Sequence, residues 1–87
     1  MSKELELKNR KIYDKIKIMA NQFRFKILEL TQKEALSITD LSSKLKLSYG
    51  KCADYVTLLE KHNLIQKSKE GKEVKVISKL NLEKINV

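Results

Sequence analysis

The sequence predicts a mainly α-helical fold with one small β-hairpin, and three observations carry that expectation. Apolar residues recur at spacings of three and four through most of Leu5 to Leu59, which marks helices buried along one face. Beyond Asn63 the period falls to two, in "EVKVIS". Eighty-seven residues that are 41% hydrophobic suffice for one core and not for two.

The elements follow in order. In "LELKNRKIYDKIKIM", Ile12, Ile16 and Met19 fall at i, i+4 and i+7, with Leu5 and Tyr13 beside that stripe and lysines elsewhere, so an amphipathic helix spans Leu5 to Met19. Asn21 is placed to cap a second helix, "QFRFKILELTQK", whose Phe23, Ile27 and Leu30 share a face that Leu28 broadens. "EALS" loosens the pattern. Thr39 is the expected N-cap of a short helix, "DLSSKL", with Asp40 near the positive end of its dipole and Leu41 and Leu45 facing inward. "KLS" is a turn that ends on a further N-cap, Ser48. The helix it opens places Cys52, Val56 and Leu59 on one face and stops at Asn63, a residue that tolerates left-handed backbone.

Two strands, Ile65 to Ser68 and Val74 to Ser78, then flank a turn around Glu70-Gly71, and Val74 and Val76 alternate with Lys75 as in a half-buried strand. "KLNLEKINV" fixes no element type. The expected domain is thus a single unit over 1–87: an N-terminal helix over 1–20, a helical core over 21–63 with a helix-turn-helix at 39–63, a wing at 64–78 and a tail at 79–87. That order of elements is a winged helix-turn-helix.

The formal net charge is +8, from 19 Lys+Arg against 11 Asp+Glu, and its excess lies toward the two ends. Such a balance favours an anionic partner, nucleic acid ahead of membrane. No apolar run reaches the roughly 18 residues of a membrane span, and "MSKELELKNRK" is no secretory signal, so the expected location is the cytoplasm. Cys52, the single cysteine, cannot close an intramolecular disulfide.

Three stretches in order resemble the ArsR-like winged-helix transcriptional regulators, over about Ile18 to Lys79. "MANQFRFKILEL" is similar to that family's opening helix, commonly Leu-Ala-x-x-x-Arg-Leu-x-Ile-Leu-x-Leu. "LSITDLSSKLKLSYGKCADYVTLLEKHNLI" runs along its helix-turn-helix, and "KSKEGKEVKV" along its basic wing. The resemblance implies a dimeric DNA-binding repressor. The chain departs from the metal-sensing members, because "SITDLSSKL" holds no cysteine and the tail is too short for their paired C-terminal ligands. It also has Lys46 where the family often has a turn glycine, and Asp54 where relatives often carry a basic or polar residue that contacts DNA.

No motif supports an enzyme, a metal or a cofactor. The one histidine, His62, lies nearly three helical turns from Cys52, and "GKC" lacks the rest of a phosphate loop. Cys52 is expected to fill the inner stripe as a small apolar residue.

The candidate DNA-reading residues are Ser48, Tyr49, Gly50, Lys51, Ala53, Asp54 and Thr57, on the helix face away from the core stripe. Lys51 suits guanine or phosphate, Tyr49 a phosphate or a stacked base, Asp54 a cytosine amino group, and Gly50 leaves room for close backbone approach. On the wing the candidates are Lys67, Lys69, Lys72 and Lys75, with Arg24 and Lys26 as further phosphate contacts.

The first-helix stripe of Leu5, Ile12, Tyr13, Ile16 and Met19, with Leu82 and Ile85 of the tail, is wide for one small domain. A two-fold dimer is the expected outlet, because it would set two reading helices in successive major grooves. The expected function is therefore a sequence-specific regulator of double-stranded DNA, acting as a homodimeric repressor with no metal, its effector undetermined. Two alternatives stay open: a non-specific architectural DNA-binding protein, and a winged helix used as a protein-protein adaptor.

Overall fold

The computed structural model describes residues 3–80. In chain order these form α1 (Lys3–Met19), α2 (Gln22–Leu30), β1 (Leu36–Ser37), α3 (Ile38–Leu45), α4 (Tyr49–Lys61), β2 (Ile65–Glu70) and β3 (Glu73–Ser78). The architecture is the expected one, mainly α with a small β element arranged as a winged helix-turn-helix.

Two expected caps form as read. Asn21 has extended backbone, and its Oδ1 accepts from the N–H groups of Phe23 at 2.9 Å and Arg24 at 3.1 Å. Ser48 likewise accepts from the Lys51 N–H at 3.1 Å. Both satisfy donors that a helix start leaves open.

The α3 cap differs from expectation. Ser37, not Thr39, is the N-cap, and its Oγ accepts from the Asp40 N–H at 3.0 Å. The cause is β1: Leu36 and Ser37 pair antiparallel with Val76 and Lys75, which holds Ser37 extended where the helix begins. Thr39 lies inside the helix, and its carbonyl accepts from the Ser42 hydroxyl. Asp40 keeps its place in the first turn.

The β element is also larger than the expected hairpin, a three-stranded sheet in the order β1-β3-β2. Its strands run closer to the turn than periodicity indicated, to Glu70 and from Glu73, so Gly71 and Lys72 form a two-residue loop. Gly71 has φ 64°, the positive value that a hairpin turn of the II′ kind asks of its first residue.

Both helices of the helix-turn-helix stop in the same way. At α4, the Leu64 N–H donates to the Leu59 carbonyl at 3.0 Å and the Asn63 N–H to Glu60 at 3.0 Å, with Asn63 at φ 60°. At α3, the Leu47 N–H donates to Ser42 at 2.9 Å and the Lys46 N–H to Ser43 at 3.3 Å, with Lys46 at φ 56°. These are Schellman endings, and both set a non-glycine residue in left-handed backbone.

The core gathers Ile27, Leu28, Leu36, Leu41, Cys52, Val56, Leu59, Leu64, Ile65 and Val76, with Ile18, Met19, Leu30 and Leu45 packed on its margin. Val74 differs from the half-buried expectation: it lies near the hairpin turn and is exposed, while Val76 is buried. Helix α2 ends earlier than read, because buried Thr31 caps it and its hydroxyl donates to the Ile27 carbonyl at 2.8 Å. The sheet is tied to this corner: Ser78 N–H donates to the Thr31 carbonyl at 3.1 Å, and Lys79 N–H to Leu64 at 2.9 Å.

Candidate nucleic-acid interface

The core decides which way α4 faces. Cys52, Val56 and Leu59 are buried at i, i+4 and i+7, so the helix turns its other face outward. On that face Ser48, Tyr49, Gly50, Lys51, Asp54 and Thr57 are exposed, and Ala53 is half-buried. All seven sequence-predicted reading residues therefore lie outside the core. Burial raises the Cys52 thiol above its ordinary value, because desolvation disfavours the thiolate.

The wing comes to the same side. A cleft of about 240 Å³ is lined by Ser37, Ile38, Thr39, Tyr49, Lys72, Glu73 and Val74. Tyr49 at the start of α4 and Lys72 at the wing turn thus face one opening, with the first turn of α3 between them.

The wing lysines, alike in sequence, separate in the structure. Lys67 and Lys69 pair across the sheet with Val76 and Val74 and share their face, whereas Lys75 pairs with Ser68 on the opposite one. Lys67 Nζ lies 3.4 Å from Glu60 Oε1, and Lys75 Nζ lies 3.7 Å from Glu70 Oε2. Lys69 and Lys72 make no ion pair with a described residue. On α2, Lys26 Nζ sits 3.8 Å from Glu29, while Arg24 has no carboxylate partner among the described residues.

Sequence reasoning passed over Tyr55. Its ring stacks on Phe23 of α2 with centroids 6.1 Å apart and 17° between planes. Lys51 Nζ stands 5.2 Å from the ring centroid and the Arg24 guanidinium carbon 5.8 Å from it. The signal was present: Lys51 and Tyr55 are four apart on one helix, the spacing at which side chains meet.

Of the proposed dimer residues, Met19 turns toward the core together with Ile18, which shortens the free stripe of α1. Ile12, Tyr13 and Ile16 are 56%, 63% and 57% exposed. Leu5 lies on α1, and Leu82 and Ile85 fall outside the described residues. Among the described residues, no group of three His, Cys, Asp or Glu side chains could hold a metal ion, and no helix is long and apolar enough to cross a membrane.

Comparison with known proteins agrees with this geometry. A winged helix-turn-helix DNA-binding family model matches residues 21–66, just over half of the chain. No curated protein matches it in sequence. Among solved structures, reduced HlyU from Vibrio cholerae is similar at 29% identity and TM-score 0.80, covering 94% of this chain and 85% of its own. The transcriptional regulator HlyU from Vibrio vulnificus is similar at 29% identity and TM-score 0.77, covering 91% and 82%. The homodimeric winged helix-turn-helix domain of Mb0332 from Mycobacterium bovis, a possible ArsR-family regulator, shares the fold at 15% identity and TM-score 0.82, covering 90% and 72%. With the fold of ArsR-like regulators and a matching family model across its helix-turn-helix, the chain belongs to the winged helix-turn-helix DNA-binding family.

Proposed function

We propose that this protein is a sequence-specific regulator of transcription that binds double-stranded DNA as a cytoplasmic homodimer and represses by occupying promoter DNA. The observation that carries the reading is the outward face of α4. Tyr49, Gly50, Lys51, Asp54 and Thr57 are solvent-facing there, beside a cleft shared with the wing turn. The HlyU structures, one of them described as a transcriptional regulator, and the homodimeric Mb0332 domain support it.

The binding combines two terms. Lysines at the wing and at the start of α4 attract phosphates, which is salt-sensitive and blind to sequence. Ser48, Tyr49, Ala53, Asp54 and Thr57 face the major groove, with Lys51 reaching guanine or phosphate and Gly50 allowing close approach. Asp54 accepts from a cytosine amino group and repels a misplaced phosphate, so it contributes discrimination more than affinity. Residues 1–87 act as one DNA-binding unit, and repression by exclusion asks of it only that it occupy promoter DNA.

Selection from a random duplex library, followed by anisotropy titration of the selected site and a shuffled duplex at several salt concentrations, tests this. The selected site is expected to bind at least about a hundredfold more tightly than the shuffled one. Equal affinities with a steep salt slope would establish an architectural DNA coat instead. Negligible binding to either duplex at low salt would point to a protein-protein adaptor.

A further inference from the structure

Tyr55 gathers two cations from two helices. Lys51 on α4 and Arg24 on α2 stand 5.2 and 5.8 Å from the centroid of its ring, and Phe23 stacks on the ring to hold it in place. Neither cation forms an ion pair with a described residue. The Arg24 Nε is buried and has no hydrogen-bond partner among the described residues. Among the described residues no polar partner fixes that Nε, so the ring and the packing around it set where it lies.

Both positive groups stand within reach of one ring, and the attraction of an aromatic face for each is only about 0.5–1 kcal/mol at exposed sites. Among the described residues the arrangement holds no anion. Lys51 lies in the first turn of the helix read as entering the groove, so the anion within reach of the pair would be a backbone phosphate of the bound strand.

We propose that Tyr55 is a positioning residue that holds Lys51 and Arg24 as one phosphate-gripping pair, joining α2 to the recognition helix. The proposal rests on the DNA-binding reading and adds to it a specific division of labour. The ring face does the work, and the hydroxyl takes no part. Because both cations are held before DNA arrives, less side-chain freedom is lost on binding than for two independent lysine-type contacts.

The test is a double-mutant cycle on the wild-type chain's selected duplex, read by anisotropy. Lys51→Gln should weaken binding about tenfold and Tyr55→Leu somewhat more, because the ring holds both cations, while Tyr55→Leu should cost clearly less in the Lys51→Gln background, where only Arg24 is left to release. Tyr55→Phe should restore affinity to within about twofold of wild type, and in the free protein it should keep the upfield ring-current shift of the Lys51 ε-methylene protons that Tyr55→Leu removes. A Tyr55→Leu loss of the same size in the Lys51→Gln background, or Tyr55→Phe as impaired as Tyr55→Leu, would overturn the proposal. If Tyr55→Leu fails to fold, the Arg24→Gln and Lys51→Gln cycle leaves the ring intact and decides the question. Overlapping losses support the pair and fully multiplicative ones refute it. Wild-type chain that binds no duplex would instead remove the DNA reading, and the proposed ligand with it.

Discussion

Gly50 lies in the first turn of α4 with no positive φ, and open space surrounds the place a Cβ would occupy. Nothing within the chain asks for glycine there. Gly50→Ala should therefore stabilise the free protein by roughly 0.5 kcal/mol, since glycine in a helix is that much or more worse than alanine. If the missing side chain serves close approach to DNA, the same change should weaken duplex binding about tenfold, and melting curves run beside titrations would show the opposite signs. Lys46 is the converse case, a side chain where backbone geometry prefers none. At φ 56° it occupies the left-handed position of the α3 ending, so Lys46→Gly should gain about 1 kcal/mol in urea denaturation. Asn63 at φ 60° is a residue that tolerates this region, and Asn63→Gly should gain distinctly less. Much at this scale was legible in the sequence, because caps and chain stops depend on one or two residues: Asn21, Ser48 and Asn63 each do what their chemistry indicates. Tyr55 was not, because its role depends on Phe23 and Arg24 arriving from another helix.

Among elements, the helices could be read because a 3.6-residue period shows which face is buried without knowing what buries it. Strand β1 could not. Two residues carry no period, and Leu36-Ser37 is a strand only because β3 lies beside it, which also moved the α3 cap from Thr39 to Ser37. The wing shows the same limit in its charges. Four lysines near one turn look equivalent in sequence, yet Glu60 and Glu70 partly neutralise Lys67 and Lys75 and leave Lys69 and Lys72 without an ion pair among the described residues. Each phosphate contact contributes about 0.9 to the slope of log affinity against log salt. Lys69→Gln and Lys72→Gln should each lower the magnitude of that slope by about this amount, and Lys67→Gln and Lys75→Gln by clearly less. Equal effects from all four would show that the wing acts as a diffuse charge and that the ion pairs open on binding.

For the molecule as a whole, the radius of gyration is 14.1 Å, against about 12 Å for a compact chain of this length. The extra extent accompanies a long α1 whose final turn packs on the core through Ile18 and Met19 while Ile12, Tyr13 and Ile16 face solvent. Burying an isoleucine of this stripe against a second copy would contribute about 1.5–3 kcal/mol, an inducement that a small domain with a modest core lacks internally. A two-fold pairing would also place two recognition helices about 34 Å apart, one turn of duplex, and so require a palindromic site. Ile16→Glu tests this without touching the core, since Ile16 is 57% exposed. Wild-type chain at micromolar concentration should sediment at twice its 10.1 kDa mass, and the variant at 10.1 kDa with an unchanged helical spectrum. Its affinity for a full palindrome should fall about a hundredfold while half-site affinity stays the same, because only the coupling between subunits is lost. A wild-type monomer at that concentration would end the dimer proposal and the palindrome with it, leaving the α1 stripe to be covered by something other than a second copy.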